Sequence, residues 1–291
     1  MTIANAIPEL WLARALDYYY RETIWGALLT DLSNETPIGN KLHMNQISGT
    51  ITMRDYTREQ VLAAPQYPDT SVDTLDLNQQ KYFNIAVDDI DAAQTRLSLL
   101  EGHSRNAGRA MAREVDNYLR TQIDSEATVK ATVTSGIIDN LGVPGSTNAL
   151  PDLIETFLTD FIWEASSKDW PKGRERWCVG CPTLTLRFQE WMIGNSAPGT
   201  GKLGDEQITD EDISNVFGIT YRTDREMDVP SSDDDPIAYI GTKEAAAYAI
   251  QIRKIEPYRP DDRFGDAIKG LYVYGMDVMH STNLIKMEVT V

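Results

Sequence analysis

Between Asp88 and Ile123, apolar residues recur every three or four positions: Ile90, Ala93, Leu97, Leu100, Ala107, Met111, Val115 and Tyr118, with Ser104 in the one gap. That period predicts a single long amphipathic helix. On the same winding Arg105, Arg109, Arg113 and Arg120 fall on nearly the opposite side, and Glu101–Arg105 and Asp116–Arg120 stand at the spacing of local ion pairs. Asp88, Asp89 and Asp91 sit where carboxylates cap orphan N–H groups and complement the helix dipole. No proline interrupts the run. At about 1.5 Å per residue it would reach roughly 50 Å, a backbone for something extended.

Strand-like pattern flanks it. Before it, KLHMNQISGTITMRDYT places Ile47, Ile51 and Met53 on one parity, and TLDLNQQKYFNIAV alternates Phe83, Ile85 and Val87, with Gln79–Gln80 as a bulge. The polar, proline-marked REQVLAAPQYPDTSVD between them makes this a long hairpin with little core of its own, which needs something outside itself to lie on. Residues 8–30 read as a short helix with an aromatic face of Trp11, Tyr18, Tyr19 and Trp25, either core or a docking arm.

Further on, 125–149 reads as strands and loops, 150–170 as a second amphipathic helix, RWCVGCP as a buried strand and 183–192 as a helix. ISNVFGITYRTD and PIAYIGT follow as strands, TKEAAAYAI as a short helix, and QIRKIEPYR, IKGLYVYGMDVMH and LIKMEVTV as closing strands. Helices and mostly antiparallel strands are segregated, which predicts an α+β fold.

Composition narrows the function. The 291 residues are 42% hydrophobic and 24% charged, ordinary for a globular chain, yet the formal net charge is −17. Nonspecific nucleic-acid binding needs surplus Lys and Arg to displace counterions, so DNA binding is disfavoured. No 18-residue apolar run and no basic-then-apolar leader is seen, which reads as a cytoplasmic origin without a membrane span.

Candidate chemistry is thin. Trp177-Cys178-Val179-Gly180-Cys181-Pro182 has the W-C-x-x-C form of a redox motif, but it lies inside a short apolar run rather than opening a helix, so two buried thiols are the favoured reading. His43, His103 and His280 are scattered singly, too few for zinc. Gly199-Thr200-Gly201-Lys202 lacks the glycine and the hydroxyl that a phosphate loop requires at 196 and 203, where Ser196 and Leu203 stand. Asp233–Asp235 lacks the alternate spacing and the glycine of a calcium loop. The residues point to no catalytic site, metal or cofactor.

The order of parts carries a resemblance. IPELWLARAL, PIGNKLHMNQISGTITMRDYT, LDLNQQKYFNIAVDDIDAAQ and the tail QIRKIEPYRPDDRFGDAIKGLYVYGMDVMHSTNLIKMEV resemble the major capsid proteins of tailed bacteriophages, the Hong Kong 97-type fold. The resemblance implies an N-terminal arm over 1–44 and an extended loop over 45–87. A peripheral domain would take 88–128, with the spine helix, and 250–291; an axial domain would take 129–249. It further implies a structural protein whose hexamers and pentamers close an icosahedral shell around double-stranded DNA, held without sequence-specific binding, in a virion assembled in the bacterial cytoplasm. Implied partners are other copies, a scaffolding protein, a portal at one vertex and, in some relatives, a decoration protein. Trp11, Trp25, Tyr56, Tyr67, Tyr82 and Phe83 are the candidate intersubunit contacts, because large aromatics in the arm and loop lack an obvious internal core.

Two departures stand out. Lys81, at the loop's base, is the lysine between Asn45 and Tyr82, so the lysine–asparagine crosslinks of some relatives are not expected. The first helix starts near Pro8, which leaves no room for a removable scaffolding segment and implies a separate scaffold. An encapsulin-like compartment and a thiol redox enzyme using Cys178 and Cys181 remain the alternatives.

Overall fold

The computed structural model describes residues 17, 19, 23–35, 39–47, 52–61, 63–67, 70–88, 98–127, 129–133, 176–182, 184–186, 219–227, 236–261 and 265–289. The long helix, α2, covers Ser98–Glu126; a single turn, α1, covers Trp25–Leu28. One sheet joins β1 (Thr30–Asp31), β9 (Ala246–Tyr258), β10 (Gly265–Val278) and β4 (Gln79–Asp88) in that order. The second runs β5 (Val129–Val133), β11 (Leu284–Val289), β8 (Pro236–Thr242), β6 (Arg176–Gly180) and β7 (Ile219–Thr223). A ribbon pairs β2 (Lys41–Ile47) with β3 (Thr70–Asp76). This is the expected α+β organisation.

Helix α2 is held by its stripe. Met111, Val115, Leu119 and Ile123 are buried in the main core, while Phe83, Ile85 and Ile268 pack on Ala107. Tyr118 sits edge-on to Tyr274 at 5.2 Å. The sheet can lie close to its neighbours because β10 carries glycine at two crossings. Phe83 faces Gly270 across the β4–β10 pair, where a Cβ would stand 2.2 Å from the ring. At Gly275 a Cβ would meet the Asp76 carbonyl at 2.1 Å, so the ribbon's end crosses here only over glycine. The ribbon's base is anchored beside it by Met44, Leu75 and Leu77 against Ala247, Ala249 and Val273.

Several boundaries differ from expectation. Asp88 is the last residue of strand β4, opposite Gly265; Asp89, Ile90, Asp91, Ala93 and Leu97 lie outside the described residues. The helix instead continues past Ile123 to Glu126. The helix expected to 30 stops at Leu28, because Thr30–Asp31 pairs in parallel with Ala247–Tyr248. Met53 is solvent-exposed in an irregular stretch rather than half-buried in a strand. The return limb is two strands with different partners: β3 with β2, then β4 with β10, split at Leu77–Asn78.

TKEAAAYAI is not a helix. After one 3-10 turn at Lys243–Ala245 it becomes the start of β9. Ala246, Ala247 and Ala249 are fully buried there, so packing against both faces of the strand overrides alanine's helical preference. The helices expected over 150–170 and most of 183–192, and the 199–202 and 233–235 loops, fall outside the described residues. No helix among the described residues is long and apolar enough to cross a membrane.

Candidate functional site

Beyond the ribbon, 52–61 and 63–67 form a tip with no core. Polar side chains shape it. Thr52 N donates to Gln66 Oε1 at 3.0 Å and Gln66 Nε2 donates back to Thr52 O at 3.1 Å, clamping the two limbs. Gln60 Oε1 accepts from both Thr57 N and Thr57 Oγ1 at the turn, where Glu59 takes a left-handed φ of 70°. Along this frame Met53, Tyr56, Val61 and Tyr67 point into solvent, Tyr67 with 86% of its surface exposed. On the first sheet Tyr82 and Leu271 are direct cross-strand neighbours, and both are exposed. Each large side chain is worth about 1.5–3 kcal/mol if fully covered, so the strip is a strong candidate for burial against another surface.

The other candidate contacts separate from these. Trp25 is not at an outer surface: it is fully buried, edge-on to Trp177 at 5.7 Å and Tyr239 at 5.6 Å, and its Nε1 donates to Asp224 Oδ2 at 2.9 Å. Phe83 is spent internally on Gly270 and Ala107. Trp11 lies outside the described residues. For these residues the premise that arm and loop aromatics lack an internal core fails at Trp25 and Phe83 because distant β6 and β8, and β10, supply one.

The arginine stripe is also partly spoken for. Arg105, Arg109 and Arg113 are exposed. Arg113 lies 3.6 Å from Glu226, and Arg120 binds the Glu226 carbonyl, Asn117 Oδ1 at 2.7 Å and, more loosely, Asp224 at 3.9 Å. The expected Asp116–Arg120 pair does not form, because Asp116 is turned to the N-terminal segment: its carboxylate accepts from Thr23 Oγ1 and from the amides of Ile24, Trp25 and Gly26. Lys81 is paired with Glu114 at 2.6 Å. The anchoring roles of Asp116 and Asp224 had no signal in sequence, since their partners lie some ninety to two hundred positions away.

Cys178 and Cys181 are buried thiols that form no disulfide. Burial, and then the neighbouring Cys181, push the Cys178 thiol far above its ordinary value, which is the reverse of what a reactive thiolate needs. Among the described residues no cluster of His, Cys, Asp and Glu is arranged to hold a metal.

The chain matches no family model and no curated protein. Solved structures do match it. A structure from Mycobacterium phage Che8 is 22% identical, with a TM-score of 0.62 over 91% of this chain and 90% of that one. The capsid of the cyanophage P-SCSP1u is 14% identical, with a TM-score of 0.66 over 92% and 88%. The chain has a phage capsid fold. The capsid fold is shared as well by a virus-like particle from Pyrococcus furiosus, at 11% identity and a TM-score of 0.54 over 95% and 96% of the two chains.

Proposed function

We propose that this chain is the major capsid protein of a tailed bacteriophage, in the Hong Kong 97-type form of the fold. Hexamers and pentamers of it close an icosahedral head around double-stranded DNA. The observation that carries the reading is the capsid fold running along nearly the whole chain rather than one part of it. The coreless hairpin tip agrees: a subunit that exposes Met53, Tyr56, Val61 and Tyr67 on a clamped frame has a surface suited to a neighbouring copy.

In this reading 1–44 is the arm and 45–87 the extended loop. Residues 88–128 with 250–291 form the peripheral domain around the spine helix, and 129–249 form the axial domain. A separate scaffold directs assembly in the host cytoplasm, a portal occupies one vertex, and a decoration protein is a further partner. The net charge of −17 keeps the DNA cargo unbound. Lys81, held by Glu114, forms no crosslink.

The Pyrococcus furiosus particle favours a second reading, a cellular compartment enclosing a protein. Sedimentation of the chain, expressed with and without its scaffold, tests both: large particles empty of host protein support the capsid, particles loaded with one host protein support the compartment. A small species under every salt condition would overturn both. Replacing Tyr56 and Tyr67 with Ser should leave the subunit's unfolding midpoint unchanged and prevent large particles from forming.

A further inference from the structure

Among the described residues, Glu59 is the one non-glycine residue with a left-handed backbone, at a φ of 70° in the turn of the hairpin tip. Gln60 N donates to Thr57 O at 3.0 Å, and the Gln60 side chain accepts from Thr57 N at 3.0 Å and Thr57 Oγ1 at 2.9 Å. Three hydrogen bonds thus hold Thr57–Gln60 in a turn whose third position favours glycine. A glutamate stands there instead, fully in solvent, and among the described residues no hydrogen bond or ion pair engages its carboxylate. Strained backbone of this kind persists where the side chain it presents is used. Asp55 lies four positions earlier, and Arg54 and Arg58 alternate with the two acids, all of them exposed.

Helix α2 carries the complementary surface. Its exposed side chains from 102 to 121 include Arg105, Arg109 and Arg113 and no acid. Successive arginines are four residues apart, about 6 Å along the axis. The acids of this stretch, Glu114 and Asp116, are turned to Lys81 and to the Thr23–Gly26 segment. Arg113 leans on Glu226 at 3.6 Å, so the face is most strongly basic around Arg105 and Arg109. Gly102 beside them leaves open space, since a Cβ there would meet nothing within 4 Å. We propose that the hairpin tip of one copy docks on this basic face of a second copy, with the Glu59 carboxylate set against Arg105 and Arg109. The inference rests on the capsid reading and names what the tip touches. A net charge of −17 makes two copies repel at long range, whereas an acid of the tip against this row attracts at contact. Arg54 and Arg58 then meet a surface that is otherwise acidic. Tip and helix face are different surfaces, so the contact is head-to-tail, the kind that closes into rings.

Each copy carries both partners, so charge reversal within one full-length chain tests the contact. Glu59→Arg alone, and Arg105→Glu with Arg109→Glu, should each lower the yield of large particles about tenfold, because like charges then face each other. Combining the three substitutions restores opposite charges and should return most of the yield. All three positions are exposed, so the unfolding midpoints of the free subunits should stay unchanged. Undiminished yield in either one-sided variant, or a combined variant no better than the one-sided ones, would overturn the proposal. Loss confined to the helix variant would mean that a different partner occupies that face. An unaltered chain that forms no particles, with a candidate scaffolding protein present, would overturn the capsid reading and this contact with it. Should the helix variant not fold, Glu59→Gly decides the matter: it relaxes the turn and removes the carboxylate, so yield should fall about tenfold from a folded subunit. Unchanged yield there would sink the contact.

Discussion

Trp25 shows how much a single side chain joins. Its ring contacts Trp177 of β6 and Tyr239 of β8, and its Nε1 reaches Asp224, so it ties the start of the chain to the second sheet. Trp25→Ala should destabilise the subunit by about 3–5 kcal/mol, from lost packing and the cavity left behind. Trp25→Phe keeps much of the area but removes one of the hydrogen bonds to the Asp224 carboxylate, and should cost about 1–3 kcal/mol. Denaturant unfolding of both variants separates the two contributions; no loss in Trp25→Phe would show that the hydrogen bond contributes nothing. The two thiols make a second residue-scale test. Buried, with Cys178 held protonated, they should stay unlabelled by a thiol reagent in the native chain and react together on unfolding. Rapid native labelling would revive a redox reading.

At the scale of elements, local period was legible and long-range pairing was not. The helix stripe through Ala107, Met111 and Val115, the buried RWCVGCP strand and the closing strands all follow from apolar spacing. The Ala245–Ala249 run misled, because it is a local helix signal overridden by a strand partner that sequence does not reveal, the β10 segment Gly275–Val278. The return limb misled for the same reason, since Leu77–Asn78 looks continuous until β3 and β4 choose different neighbours. Of the candidate site, the exposed tyrosines were legible as aromatics without a nearby core, while Trp25 and Phe83 had cores supplied from far along the chain. The hairpin offers its own test. Arg54 and Arg58 lie exposed in the unpaired tip, so trypsin should cut the free subunit there first. Cleavage elsewhere first would show that the tip is covered within the single chain.

For the whole molecule, charge and shape act in opposite directions. A net charge of −17 makes copies repel, while the uncovered strip from Met53 to Tyr67, with Tyr82 and Leu271, makes contact favourable. Repulsion between exposed charges is screened within about 8–10 Å at ordinary salt, so association should strengthen as ionic strength rises. The same acidity disfavours binding of enclosed DNA, and purified particles should not retain added duplex at physiological salt. The most direct measurement is electron microscopy of the purified chain, expressed with and without a candidate scaffolding protein. The account predicts closed icosahedral shells or rings of capsomer size. A population of isolated subunits under every condition, scaffold and high salt included, would contradict it.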